Sequence, residues 1–542
     1  CFWGDYEIMT VEKCIYNICF IPMNSSAPSF FGFSEFLASL AIIVLAWNIV
    51  DLRYQFRAYI APYKQQQKSF VVVGIIGFLT LMSDFWRISE LYVIKDSYIS
   101  YGLMQLILAF CYLSVVFLWV NYSFISPQKF SEKNHMEFLE FISKVFISGD
   151  RKAISIVLDE MRRSSESIMY YSSYEEDIGE VKKAANTIIA LMSDEDVCKV
   201  MAREQPLLFR DMFLSIYKLD KFNLNIGSLT INFVSSSLEY ERSFVYREND
   251  CFNSNYFSKM KPICTPVFNN YEIIDSYQGL ITPDSDNSLW GQKTWGVYFS
   301  LLEMAIDSFV KYKFHHISPS FLHWPRFFIV RILSKKSLRL INQDVNYMHP
   351  FRKRIECLSA FVDNVILGID DGNIHESHKF YVKDFIAQVV YEVIESAALD
   401  FNTATPDFLY IKKQLVWDEL YNSTMLRDEK DRYIINKVND KIYRKLLSLP
   451  NYDSVSVLMF VISVVGLKPI VEGPYGEIWR KMHIDTMCWC EENLKLMLDK
   501  YPRLLDELHK NNLRYDKEYA ELYEVDDNGC VLATLELKKH NE

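Results

Sequence analysis

The chain has 542 residues, too many for one ordinary compact domain. Half of them are hydrophobic and the mean hydropathy is near zero, an average that hides an apolar N-terminal part and a charged remainder. The net charge is −11, and the first 130 residues carry eight acidic and eight basic side chains, so the whole excess lies beyond them. That excludes a bulk nucleic-acid binder and leaves room only for a local basic patch.

The chain opens on Cys1, which fits a processed or truncated start, or a lipidated mature N-terminus. Residues 1–30 precede the first long apolar run, and Cys14 and Cys19 within them could pair in a disulfide if this segment lies outside. Three runs follow. "FSEFLASLAIIVLAWNIV" covers 33–50, "SFVVVGIIGFLTLMSDFW" covers 69–86, and "YGLMQLILAFCYLSVVFLWVNYSF" covers 101–124. Each is near the ~20 residues that cross a ~30 Å hydrocarbon core, so residues 31–128 read as three transmembrane helices. Trp47, Trp86, Tyr101 and Trp119 sit toward the ends, as interfacial aromatics do.

Basic residues set the expected orientation. The first loop holds Arg53, Arg57, Lys64 and Lys68, and the segment after the third run holds Lys129 and Lys133. The second loop holds only Lys95, with Arg87 at its margin. The first loop and everything beyond about residue 126 are then cytoplasmic, and residues 1–30 are extracytoplasmic. The cysteines of the large domain are expected as free thiols in a reducing compartment.

Four polar residues stand within or beside these runs: Asn48, Asp84, Arg87 and Gln105. Asp84 and Arg87 fall at i, i+3 near the outer end of the second run, where a charged pair is partly solvated. Two readings stay open. The residues anchor helices at the interface, or they belong to a polar ring in an oligomer. Gly74 and Gly77 would allow close helix approach.

From Ser131 onward, apolar residues recur at three- and four-residue intervals, which predicts helices packed in antiparallel pairs over 129–222 and 291–520. Residues 223–290 are rich in Asn, Ser, Asp and Pro, with strand-like pieces such as "SLTINFV" and "RSFVYRE", and read as an irregular insertion. Asn528-Gly529 between two alternating apolar runs predicts a hairpin within 521–542. The fold class is therefore mostly α: a three-helix membrane bundle, a large helical domain and a C-terminal β-hairpin.

A Walker A loop, a His-Glu-x-x-His motif and a nucleophile elbow are all absent, and no cofactor motif is found. His375, Glu376 and His378 fit a solvated loop better than a metal site. His483, Asp485, Cys488 and Cys490 fit a packed helix, since Cys at i, i+2 point to different faces. His315, His316 and His323 lie among aromatics. The segment 325–354 carries Arg326, Arg331, Lys335, Lys336, Arg339, Arg352, Lys353 and Arg354 against a single Asp344. Arg331, Lys335 and Arg339 fall on one helical stripe. Three readings fit: a solvated face, a site for an anionic partner such as nucleic acid, and a surface for anionic lipid headgroups. Phe327, Phe328 and His323 suit base stacking and equally suit a core.

The layout of apolar runs ahead of a large helical part, with its central "SFVYREND…GLITPD" segment, resembles the transmembrane effectors of bacterial anti-phage systems, including those of some retrons. The resemblance implies a homo-oligomeric inner-membrane protein that permeabilises the membrane when its cytoplasmic domain senses a nucleic-acid or protein partner. The alternative is a membrane-anchored sensor or scaffold whose spans only tether a helical binding domain. A membrane-tethered enzyme would need a polar pocket assembled by the fold.

Overall fold

The computed structural model describes residues 13–15, 18–23, 30–49, 51–62, 65–94, 100–174, 179–252, 261–283, 290–312, 319–331, 348–370, 374–398, 415–448, 452–467, 476–510, 512–526 and 528–538. Most of them are helical. The chain divides into two compact units, one of Cys1–Met192 with Leu207–Leu219, the other of Ser193–Pro206 with Asp220–Glu542.

The first unit begins with strands β1 (Lys13–Ile15) and β2 (Ile18–Pro22). They pair antiparallel, and the facing Cys14 and Cys19 form a disulfide. Helix α1 (Phe33–Ile49), helix α2 (Leu52–Tyr59) and helix α3 (Gln65–Ile88) follow. Strand β3 (Tyr92–Ile94) pairs antiparallel with β2 and completes a three-stranded sheet. Helix α4 (Tyr101–Val120) runs into a wider turn at Asn121–Ile125. Helices α5 (His135–Ser148) and α6 (Arg151–Met161) open a layer of amphipathic helices whose buried faces carry Phe138, Ile142, Val157 and Leu158.

Two described helices are long and apolar enough to cross a membrane, not the three expected from the sequence: Gln67–Ile88 and Tyr101–Ile125. Only 22% of each is buried, whereas the core helix of a water-soluble protein is mostly covered. Large apolar side chains stand exposed along both, among them Phe70, Phe78 and Phe85 on one and Phe110, Leu113 and Phe117 on the other. Hydroxyls within them bond back to their own helix: Thr80 donates to the Gly77 carbonyl and Ser114 to the Phe110 carbonyl.

Helix α1 falls short for a physical reason. Its 17 residues span about 25 Å, less than the ~30 Å core. The apolar run is cut at its end by Asp51, whose carboxylate caps α2 by accepting from the Arg53 N–H. Helix α1 packs instead on the two longer helices through a cluster of Phe36, Ile76, Leu108 and Tyr112. Gly77 makes the approach possible, because a Cβ there would lie 2.6 Å from the Phe36 ring; Gly74 faces open space.

The second unit is built on helix Gln292–Val310, which packs on helix Met348–Asp370. Its core is aromatic: Trp290, Trp295, Tyr298 and Phe328 meet edge-on or tilted, and Phe299 stacks on Phe361. A buried Lys383 bridges Glu429 at 2.9 Å and Asp431 at 3.0 Å.

The stretch expected as a strand-bearing insertion is mostly helical where described, its helices joined by short turns. "SLTINFV" lies in helix Gly227–Glu239 and "FVYRE" in helix Phe244–Phe252. Leu229, Phe233 and Leu238 form the buried stripe. The serines that gave the segment its loop-like composition sit inside the helix, Ser237 donating to the Phe233 carbonyl.

At the chain end β4 (Leu513–Asp516), β5 (Glu521–Val525) and β6 (Val531–Glu536) form an antiparallel sheet, so the expected hairpin carries one additional strand. Asn528 and Gly529 lie in its turn: Gly529, at φ +82°, donates its N–H to the Asp526 carbonyl, and the Asp526 N–H donates to the Cys530 carbonyl.

Candidate functional site

The polar residues of the apolar helices come together around the start of α1. Phe33 N–H donates to Asp84 Oδ2 at 2.7 Å, and Phe30 N–H donates to Gln105 Oε1 at 2.7 Å. The Tyr101 hydroxyl joins them, donating to Asp84 Oδ1 at 2.8 Å and accepting from Gln105 Nε2 at 2.6 Å. The first N–H groups of a helix have no partner within it, so Asp84 of α3 supplies an acceptor for Phe33 at the start of α1, while Gln105 of α4 holds the backbone just ahead of it. Gly32 is needed beside them: a Cβ there would stand 2.7 Å from Asp84 Oδ2.

Gln105 is 1% exposed and faces this clasp inside one chain. The Arg87 guanidinium lies 5.6 Å from the centre of the Tyr101 ring. Asn48 belongs to α1, but its side chain lies outside the described residues. The structure thus brings Asp84, Arg87 and Gln105 to one place, with Tyr101 as the member that reading the sequence treated only as an interfacial aromatic.

A second polar site lies at the other end of α3. Helix α2 is amphipathic and buries Phe56, Arg57 and Ala58. Phe56 meets the rings of Phe138 and Phe141 of α5 at 5.3 and 5.2 Å. Arg57 makes a bidentate pair with Glu160 of α6: Nε donates to Oε2 at 2.7 Å and Nη2 to Oε1 at 2.6 Å. Both side chains are buried, 8% and 4% exposed. The hydrogen bonds that Arg57 donates to Glu160 raise the pKa of its guanidinium above an already high value, so it stays charged. Arg53 adds contacts of 3.3 Å to Glu160 and 3.0 Å to Asp159. Below, Asn134 Nδ2 donates to the Ile60 carbonyl at 2.9 Å and the Lys129 carbonyl at 3.0 Å. The loop between α1 and α3 is therefore fastened into the helical layer by buried charge, aromatic packing and an amide bridge. Arg53 and Arg57 were legible only as loop charges; nothing in the sequence marked Glu160, 103 residues on from Arg57.

The basic residues of 325–354 are spread over different surroundings. Arg326 approaches Glu392 at 3.8 Å and stacks over Phe327 at 4.4 Å. Arg331 is exposed, and Lys335, Lys336 and Arg339 lie outside the described residues. Arg352 pairs with Glu419 at 2.6 Å and Glu356 at 3.2 Å, and Lys353 with Glu356 at 2.6 Å. Arg354 is buried, 2% exposed. His323, Trp324 and Phe327 form an exposed aromatic group, while Phe328 belongs to the core.

Among the described residues no group of three or more His, Cys, Asp or Glu is arranged to hold a metal ion. His378 is buried against Phe309, with Nδ1 3.3 Å from the Val310 carbonyl, and His375 bonds Ser377. His483 Nε2 lies 3.1 Å from the Gly466 carbonyl, Cys490 is buried with its thiol pushed up to about 12 by burial, and Cys488 is exposed. His315 and His316 lie outside the described residues. Comparisons with protein-family models, with curated proteins and with solved structures found no match.

Proposed function

We propose that this chain is a homo-oligomeric membrane effector controlled by its cytoplasmic part. Helices α3 and α4 cross the bilayer, and α1 lies against them without spanning it. The disulfide-bearing sheet is extracytoplasmic, and α2 with the residues beyond α4 is cytoplasmic. The apolar side chains exposed on both long helices support insertion. A disulfide in the N-terminal sheet and buried cysteines outside any disulfide at Cys264 and Cys490 support that orientation.

The observation that carries the reading is the joint at α2. A domain that is merely tethered needs only a linker. Here the loop between α1 and α3 is locked into the helical layer by the Arg57–Glu160 pair, so a change in that layer pulls directly on a membrane helix. Two spanning helices are too few for a pore, hence several copies are required. Termination of an infected cell by membrane permeabilisation, which the layout suggests, belongs to the same proposal.

A second reading, an anchored sensor or scaffold, is favoured by one feature: Asp84 is occupied in capping α1 and Gln105 in holding the segment ahead of it, and neither offers a polar ring. Membrane potential separates the two. The intact chain, expressed in bacteria and followed with a potential-sensitive dye, depolarises cells if it is an effector. A full potential at high expression, with the protein shown to be in the membrane, leaves the scaffold.

A further inference from the structure

Between the sheet β1–β2–β3 and the adjoining ends of α3 and α4 lies a half-open cavity of about 460 Å³. That is within the ~300–1,000 Å³ of ordinary small-molecule sites. Leu79, Met82 and Trp86 of α3 form one wall, Met104 of α4 a second, and Val93 and Ile94 of β3 the roof. Among the described residues no charged side chain lines it. Its polar groups are hydroxyls, Ser83 and Tyr101 in the wall and Ser100 at the turn into α4, with the Tyr101 hydroxyl already engaged by Asp84 and Gln105.

We propose that this cavity binds one acyl chain of a bilayer lipid, entered from the extracytoplasmic leaflet; the proposal rests on the membrane placement of α3 and α4 given above. Three features favour an acyl chain. The α3 wall is continuous with the apolar belt of that helix: Phe78 and Phe85, beside Leu79 and Trp86, are 61% and 56% exposed. The aromatic rim of Trp86, Tyr92 and Tyr101 has the amphipathic character that places such rings at headgroup depth. From Leu79 to Trp86 the wall runs about 10 Å along the helix, enough to take part of one chain and leave its headgroup outside, since the described lining offers a headgroup no charged partner.

The consequence is a lipid seated between the N-terminal sheet and the two spanning helices. It would fill space that the described side chains leave open, and voids there forfeit contacts from the walls on every side. Bilayer lipid is already apolar, so shape and contact, not removal of chain from water, set how long it stays.

The test uses the full chain reconstituted in phosphatidylcholine vesicles containing a minor fraction of phosphatidylcholine with a photoactivatable diazirine midway along one acyl chain. After irradiation, adducts are mapped by mass spectrometry. Adducts are expected to concentrate on Leu79, Met82 and Met104, several-fold above those on the outward-facing Phe110 and Phe117. Met82→Trp and Met104→Trp fill the cavity from opposite walls, and each is expected to cut the cavity adducts several-fold while leaving those at Phe117 unchanged. Adducts spread evenly along both helices and unaffected by either substitution would overturn the proposal, leaving only a loose shell of lipid. No adduct on either helix would overturn the membrane placement itself, a separable result.

Discussion

Removing either member of the Arg57–Glu160 pair tests whether the α2 joint holds the first unit together. Breaking a buried ion pair costs about 3–5 kcal/mol because it strands a charge out of water. The two partners are not equivalent. In Arg57→Ala, Glu160 keeps Arg53 at 3.3 Å, so the loss should fall near the lower end, about 3 kcal/mol. In Glu160→Ala, Arg57 is 8% exposed and its remaining hydrogen bond in the site is a 3.4 Å contact to the Ser123 carbonyl, so the loss should approach about 5 kcal/mol. For a folding unit of about 200 residues, each kcal/mol shifts Tm by roughly 2–4 °C. Arg57→Ala should then lower Tm by about 6–12 °C and Glu160→Ala by about 10–20 °C.

The double variant Arg57→Met with Glu160→Met removes both charges and keeps apolar volume, so it should lie within about 1–2 kcal/mol of the native chain. The assay is thermal challenge in detergent followed by size exclusion, with all variants in one buffer. A Tm unchanged in Arg57→Ala, or a double variant as unstable as the sum of the singles, would refute the reasoning. The double variant then serves function. It keeps the packing of α2 and removes its ionic link, so an effector gated through this joint should depolarise cells differently from the native chain.

Three further outcomes follow from single positions. Gly77→Ala forces a Cβ to within 2.6 Å of the Phe36 ring and should cost about 1–3 kcal/mol, while Gly74→Ala, facing open space, should be neutral; equal Tm values for the two would sink the packing of α1 on α3. Asp84→Ala removes the acceptor for Phe33 N–H and the Tyr101 hydroxyl and should cost about 1–2 kcal/mol, and Asp84→Asn should leave the ion selectivity of any conductance unchanged; a shift in reversal potential would return Asp84 to a pore. His483 is buried, which holds its pKa below the usual value and keeps it neutral in the fold. The unfolded chain takes up that proton below about pH 6.5, so this contribution is complete above 6.5 and is lost as pH falls toward the depressed value. Amide exchange of helix Gly476–Lys500 should therefore speed up below pH 6.5, after correction for intrinsic rates, and His483→Gln should flatten the change; identical profiles would clear His483 of the effect.

What the sequence disclosed divides along the range of the interactions concerned. Helices with a clear three- and four-residue apolar rhythm, such as the face of Phe138, Ile142 and Val145 in α5, were legible because the signal lies within one turn or two. The Asn-Gly turn was legible for the same reason, since two residues set its backbone. Helix Gly227–Glu239 was not, because Thr230 and Ser235 to Ser237 gave it the composition of a loop while Thr230 and Ser237 bonded their own helix. Helix α1 was taken for a span because its 18-residue run is as apolar as the other two; its 17-residue helix stops just short of the length the two longer helices reach.

The same distinction governs the charged pair at Asp84 and Arg87. A polar residue in an apolar helix must find a partner, and the sequence shows the need without showing the partner. Had the acceptors of Asp84 and Gln105 been directed outward, an oligomer would have been required to satisfy them. Instead they meet the N–H of Phe33 in the first turn of α1 and that of Phe30 just before it, separated by 51 residues from Asp84 and by 75 from Gln105, within one chain. An ionisable residue in such a helix is then a sign of capping as much as of conduction. For this chain the link from the helical layer to the two long apolar helices lies at Arg57 and Glu160, where buried charge joins the loop before α3 to α6.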